Sequence, residues 1–253
     1  MTNQRVALVT GASSGIGRET ACELARQGTR VMAVARRADR LADLTAETGI
    51  AHLVGDLSTE AGCRAAVEGT AERLGPVDVL VHAAGAGSSR EREVWRSDPE
   101  VWRETMAVNL DAAFHLMRFA AAGMVDRGWG RVVVVSSTAG LVGGKSEPAY
   151  DASKHGVIGL VRASAIDLAP HSVTCNAVLP GWVRTEMAER SAGAIATARG
   201  LTVEQVWKER AASYSAGRIP TAEEVARTIA FLCSEGASGI SGEAVTVALG
   251  DRW

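Results

Sequence analysis

Apolar residues fall into short, nearly unbroken runs separated by longer amphipathic stretches, and this alternation continues along the whole chain. Val6-Ala7-Leu8-Val9 leads into a glycine cluster and then a helical pattern through Glu23, Leu24 and Arg26 that Gly28 closes. Val31-Met32-Ala33-Val34-Ala35 reads as a second strand, followed by a helix around Leu41 and Leu44 and a third strand, Ala51-His52-Leu53-Val54. After a helical stretch from Glu60 to Leu74, the Gly75-Pro76 turn opens a fourth strand, Val77-Asp78-Val79-Leu80-Val81. A long helical region around Trp102 to Leu116 and onward precedes Arg131-Val132-Val133-Val134-Val135, the most β-biased run in the chain. A helix carrying Tyr150 continues to about Leu168 and stops at Pro170. Val173-Thr174-Cys175-Asn176-Ala177-Val178 and Ala244-Val245-Thr246-Val247-Ala248 complete seven strands.

Nearly continuous apolar strands alternating with helices predict an α/β fold, a doubly wound parallel sheet with both faces covered. In such a sheet ligands bind beyond the carboxyl ends of the strands. Gly11, Gly15, Gly17, Ser137 and Pro180-Gly181 all follow strands and so should share one rim. No linker or low-complexity stretch divides residues 1–253, which predicts one domain. The segment at about 185–217, rich in alanine, serine and charge, departs from the alternation and reads as inserted helices lying over the rim as a lid.

The formal net charge of −2 comes without a basic block, which argues against a nucleic-acid or anionic-membrane surface. Cys22, Cys63, Cys175 and Cys233 form no Cys-x-x-Cys pair, and the histidines form no ligand cluster, so neither a disulfide scaffold nor a metal site is indicated. The N-terminal apolar run is quickly broken by glycines and no apolar stretch reaches spanning length, so a cytoplasmic protein is expected.

Tyr150 and Lys154 stand four residues apart, on one face of their helix. An ammonium beside a phenol favours the phenolate, so the pair predicts a tyrosine with a lowered pKa that exchanges protons with a carbonyl or alcohol oxygen. Alone, the spacing also suits a solvated helix pair. Ser137 upstream and the glycine-rich turn Thr10-Gly11-Ala12-Ser13-Ser14-Gly15-Ile16-Gly17 add weight, because a glycine turn opening a helix offers free amides to phosphates. Together they point to an oxidoreductase.

With these residues the chain resembles the short-chain dehydrogenase/reductase family over essentially its whole length. The family's Thr-Gly-x-x-x-Gly-x-Gly pattern is met from Thr10 to Gly17, and its Asn-Ser-Tyr-Lys tetrad falls on Asn109, Ser137, Tyr150 and Lys154, with Ser137 rather than Ser136 at the matching spacing. The resemblance implies a Rossmann-like fold, dinucleotide contacts from Gly11, Ser13, Ser14, Gly15, Ile16 and Gly17, and adenine contacts from Asp56 and Leu57. It implies passage of the cofactor along His82-Ala83-Ala84-Gly85, and a nicotinamide end held by Pro180, Gly181, Val183 and Thr185, with Tyr150, Lys154 and Asn109 alongside. It further implies hydride transfer to a ketone, with Tyr150 as proton donor, Lys154 lowering its pKa, Ser137 on the carbonyl oxygen and Asn109 holding a water. A homotetramer built partly through the helices of Asn109 and Tyr150 follows from the same likeness.

The chain departs from the family at two places. His82-Ala83-Ala84-Gly85 stands where Asn-Asn-Ala-Gly is usual, and Leu249-Gly250-Asp251 where many relatives carry Asp-Gly-Gly. His82 reads as a hydrogen-bonded structural histidine. Arg36 and Arg37 end the second strand where NAD enzymes carry an acidic residue, which favours NADP over NAD, since a guanidinium pairs with a 2′-phosphate. Ser14 tempers this, because strong NADP binders of the family often carry a basic residue there.

The nearest subfamily resemblance is to 3-oxoacyl or polyketide-type ketoreductases, whose substrate is a ketone or alcohol, in places carried as a thioester. Alternatives are an NAD-dependent secondary-alcohol or hydroxysteroid dehydrogenase, a nucleotide-sugar epimerase and a non-catalytic dinucleotide sensor. Thr138 to Gly144, Glu147, Trp182, Met187 and the inserted segment including Trp207 and Tyr214 are candidate substrate walls.

Overall fold

The computed structural model describes residues 4–87 and 90–250. Its strands are β1 (Val6–Thr10), β2 (Arg30–Ala35), β3 (Ala51–Val54), β4 (Val79–His82), β5 (Gly130–Val135), β6 (Val173–Pro180) and β7 (Ala244–Val247). They form one parallel sheet in the order β3-β2-β1-β4-β5-β6-β7. The order reverses between β1 and β4, where Thr10 pairs with His82. Connections leave such a switch point towards opposite faces and open a crevice at the carboxyl ends of the strands.

Nine α-helices are described: α1 (Gly15–Arg26), α2 (Ala38–Thr48), α3 (Glu60–Leu74), α4 (Pro99–Met106), α5 (Ala112–Arg127), α6 (Pro148–Leu168), α7 (Glu186–Arg199), α8 (Val203–Ser213) and α9 (Ala222–Leu232). Successive strand residues face opposite sides, so Leu8, Leu80, Val132 and Val134 pack with Cys63 of α3, Leu116 and Met124 of α5 and Val157 of α6. Ala7, Val9, Val81 and Val133 pack on the other face with Leu24 of α1, Leu41 of α2 and Ile229 of α9. Each wholly buried valine contributes about 1.5–3 kcal/mol, which makes the sheet a stiff base for whatever stands on its rim.

The expected doubly wound α/β architecture is present, with local differences. β4 begins at Val79 rather than Val77, and the Val77 carbonyl accepts from Arg127 Nη2 (2.6 Å). β6 runs on to Pro180, which pairs in register with Val247 and leaves no N–H to extend the strand. The region expected as one helix around Trp102 to Leu116 is α4 and α5 joined through a π turn, Ala107–Asp111. Asp98 caps α4 by accepting from the Glu100 N–H, with Pro99 at the first helical position.

The lid segment forms α7 and α8, whose own small core joins Ala192 and Ala196 to Val206 and Trp207. Thr202 and Gln205 cap α8 reciprocally. Cys63, Cys175 and Cys233 are buried free thiols, and Cys22 is half-buried. No helix among the described residues is long and apolar enough to cross a membrane. In the tail, Leu249 and Gly250 have φ of 48° and 75°, and Asp251 lies outside the described residues.

Candidate active site

A cleft of about 670 Å³ runs along the rim above the switch point. It is lined by Gly11, Ser13, Ser14, Gly15, Ile16, Gly17, Arg36, Arg37, Asp56, Leu57, Ala83, Ala84, Gly85, Ser137, Tyr150, Lys154, Pro180, Gly181, Val183 and Thr185. All the expected site residues therefore meet here except His82 and Asn109, which lie beneath the floor at 1% exposure each.

At one end β1 turns sharply into α1. A Cβ on Gly11, where φ is +67°, would come within 2.7 Å of the Ala83 and Ala84 backbone, and one on Gly17 within 2.4 Å of the Gly11 carbonyl. The turn thus lies directly on the loop after β4. Ser14, at the N-cap of α1, does not bond its own helix; its hydroxyl accepts from Arg37 Nη2 (2.6 Å). The first-turn amides of α1 are left without a side-chain cap, the arrangement that suits a phosphate. Asp56 is held below its ordinary pKa mainly by the Ser58 N–H and hydroxyl, with the Arg36 guanidinium adding to the effect.

The floor is a braced network. The Thr10 hydroxyl accepts from the Ala83 and Ala84 N–H groups (3.2 Å each) and lies 2.9 Å from His82 Nδ1. Its proton goes to Nδ1, so His82 donates through Nε2 to the Val108 carbonyl (3.2 Å) in the π turn. Burial, with the Lys154 charge adding to it, pushes the His82 pKa down to about 4, so the ring is neutral and structural, as its sequence setting suggests. Next to Val108, Asn109 accepts from Ala86 N–H (2.7 Å) and donates to Ala86 O and Ser153 Oγ (2.9 Å each). Both amide protons of Asn109 are used, so a water could meet only its second Oδ1 lone pair or its main-chain carbonyl.

At the other end stand Ser137, Tyr150 and Lys154. Ser137 follows β5 and accepts from the Ala139 N–H (3.1 Å). Tyr150 lies in the first turn of α6, whose amides are capped from outside: Glu91 Oε2 accepts from Ala149 N–H (3.1 Å) and Tyr150 N–H (3.4 Å). Lys154 Nζ donates to the Val135 carbonyl (3.0 Å) and lies 5.6 Å from the centre of the Tyr150 ring.

The expected lowering of the tyrosine pKa is not what this arrangement gives. Burial pushes Tyr150 up to about 12; the Ser137 hydroxyl pulls the other way, and Glu147, Asp151 and Glu91 push further up. Burial also takes Lys154 down to about 8. The ammonium gives one of its three donors to Val135, and desolvation moves both members of the pair towards their neutral forms.

Thr138, Ala139, Glu147, Trp182 and Met187 line the cleft as expected, but the candidate wall residues Gly140 to Gly144, Trp207 and Tyr214 do not. Trp207 is buried in the lid core, edge-on to Trp182 at 5.7 Å between ring centres. Tyr214 is buried too, its hydroxyl accepting from the Trp182 N–H (2.6 Å). Trp182 both lines the cleft and packs under the lid. Glu186, Arg190 and Arg210 of the inserted segment line the cleft, and so do Glu91 and Lys145, which sequence reasoning missed.

A family profile described as short chain dehydrogenase matches residues 5–195. The chain is 38% identical to the monensin polyketide synthase putative ketoacyl reductase of Streptomyces virginiae, covering 97% of this chain and 96% of that protein. It is 36% identical to a D-beta-hydroxybutyrate dehydrogenase of Cupriavidus necator, over 96% and 95% of the two chains. Among solved structures, a variant actinorhodin polyketide ketoreductase with NADPH superposes with a TM-score of 0.93 at 34% identity, over 99% of this chain and 98% of that one.

Proposed function

The chain belongs to the short chain dehydrogenase family, and on that premise we propose that it reduces the carbonyl of a ketone at the expense of NADPH. The observation that carries the reading is one cleft with the glycine-rich turn and two arginines at one end and Ser137, Tyr150 and Lys154 at the other. The donor set fits a dinucleotide. Gly11, Ser13, Ser14, Gly15, Ile16 and Gly17 would hold its phosphates, Arg36 and Arg37 its adenosine ribose, and Asp56 and Leu57 its adenine. Ala83, Ala84 and Gly85 would back its middle, and Pro180, Gly181, Val183 and Thr185 its nicotinamide end. When bound, such a cofactor supplies the hydride.

The protein's own part is proton and charge control. Ser137 donates its hydroxyl to the substrate oxygen and so meets the negative charge that develops there. Tyr150, neutral with a pKa of about 12, gives its phenolic proton to that oxygen. Lys154, with a pKa near 8, keeps a positive charge at neutral pH that steadies the phenolate left behind. The likeness to a polyketide ketoacyl reductase supports a ketone or thioester of the polyketide or 3-oxoacyl kind as substrate.

One observation favours a second reading, an NAD-dependent dehydrogenase: Glu186 is ion-paired with Arg37, at the place a 2′-phosphate would occupy. Assembly as a homotetramer is part of the proposal. Trp102 and Phe114 on α4 and α5, and Ile166 on α6, expose 41%, 47% and 76% of their surface on the helices that carry Asn109 and Tyr150. The compartment that suits such a reductase is the cytoplasm.

The test is oxidation of NADPH and NADH by purified protein against a 3-oxoacyl thioester, a cyclic diketone, an aryl ketone and a ketosteroid. Tyr150→Phe should lower kcat by about 10²–10⁴-fold while NADPH binding stays within twofold of wild type. Equal turnover by the variant would remove Tyr150 from the chemistry. Silence across the panel with NADPH binding intact would mean a narrow substrate or a dinucleotide sensor rather than a generalist reductase.

A further inference from the structure

Arg37 leaves the end of β2 and gives four of its five N–H donors to partners from two other parts of the chain. Its Nη2 donates to Ser14 Oγ (2.6 Å) and Ser13 Oγ (2.9 Å) in the glycine-rich turn, and its Nη1 donates to Glu186 Oε2. Glu186 is the first residue of α7 and so belongs to the lid, and its other oxygen lies 3.7 Å from Arg40 Nη2. The contact therefore bridges the mouth of the cleft from the lid to the β2–α2 corner. Arg36, beside it, makes no hydrogen bond or ion pair with any described residue, although its field reaches Asp56.

A ribose 2′-phosphate at this corner needs a guanidinium, and the one nearest the glycine-rich turn is already held by a carboxylate. A phosphate dianion and Glu186 cannot share Arg37 without repelling each other, whereas a neutral 2′-hydroxyl leaves the pair intact. We propose that Glu186 is a specificity-determining residue: it competes with the 2′-phosphate for Arg37, which weakens NADPH relative to NADH and makes NADPH binding loosen the lid's first turn. The inference rests on the dinucleotide reading of the cleft given above. Both side chains are about two-fifths exposed, at 40% and 42%, so solvent screens the pair and the effect is modest, roughly fivefold in affinity.

The experiment is calorimetric titration of wild type, Glu186→Gln, Arg37→Gln and the double variant with NADPH and with NADH, which reads binding and not turnover. Glu186→Gln should tighten NADPH roughly fivefold and leave NADH within about twofold. In the Arg37→Gln background the gain for NADPH should shrink, because the contested guanidinium is gone and only direct repulsion remains. A Glu186→Gln effect that is equal for both dinucleotides, or that is undiminished in the Arg37→Gln background, overturns this inference and leaves the dinucleotide reading standing. Wild-type protein that binds neither dinucleotide overturns that reading, and this inference with it.

Discussion

Val132, Val133 and Val134 of β5 are wholly buried, whereas α7 and α8, lying over the same rim, bury only Ala192, Ala196, Val206 and Trp207 between them. The sheet is held by apolar contact on both faces. The lid is held by one small cluster and by exposed ion pairs such as Arg184 with Glu189 (2.6 Å) and Arg199 with Glu209 (2.7 Å). Pairs of that kind are worth about 0–1 kcal/mol each. The difference divides the labour. Tyr150, Lys154 and the glycine-rich turn stand on or beside sheet elements, and if α7 and α8 form the proposed lid, their sparse burial should let them open at less cost than global unfolding.

Truncation inside the sheet core is the strongest way to expose that contrast. Leu116→Ala should cost about 2–5 kcal/mol of global stability, read by denaturant unfolding, with KM for the ketone hardly changed in the fraction that remains folded. A loss below about 1 kcal/mol would mean that the core relaxes around the cavity and is not the stiff base described.

A smaller effect probes the brace between core and site. His82 is neutral in the fold with a pKa of about 4, against an ordinary value of 6.5. Between those values the unfolded chain binds the extra proton, so this residue makes stability rise with pH and fall as the solution is acidified through that window. The slope approaches about 1 kcal/mol per pH unit. His82→Asn should flatten it in unfolding curves collected from pH 4 to 7. An unchanged slope would assign the acid loss to other groups.

Trp207→Ala should have the smallest effect on the whole molecule and a specific one on the lid. Removing the Trp207 ring, and with it the Nε1–Glu189 hydrogen bond of 2.9 Å, should raise KM by roughly tenfold, lower kcat less, and speed amide hydrogen exchange in α7 and α8 alone. The midpoint of global unfolding should move less than for Leu116→Ala. Equal shifts in the two variants would make sheet and lid one cooperative unit and end the comparison.

The periodicity of the chain determined the seven parallel strands, the doubly wound class and the place of the lid, because burial on both faces writes continuous apolar runs into a sequence. Motif spacing likewise brought the glycine-rich turn, Ser137, Tyr150 and Lys154 to one rim, since each follows a strand end or shares a helical turn. Only the tertiary structure decided the rest. Arg127, from the end of α5, reached the Val77 carbonyl just before β4. Burial, with Glu147, Asp151 and Glu91, pushed the Tyr150 pKa up against the pull of the Ser137 hydroxyl, and Lys154 turned one donor towards Val135. Glu91 became the cap of α6, and Glu186 the partner of Arg37. Each of these depends on which side chain from a distant segment arrives within hydrogen-bonding distance. Local periodicity carries no record of that, because it is settled only when the elements pack.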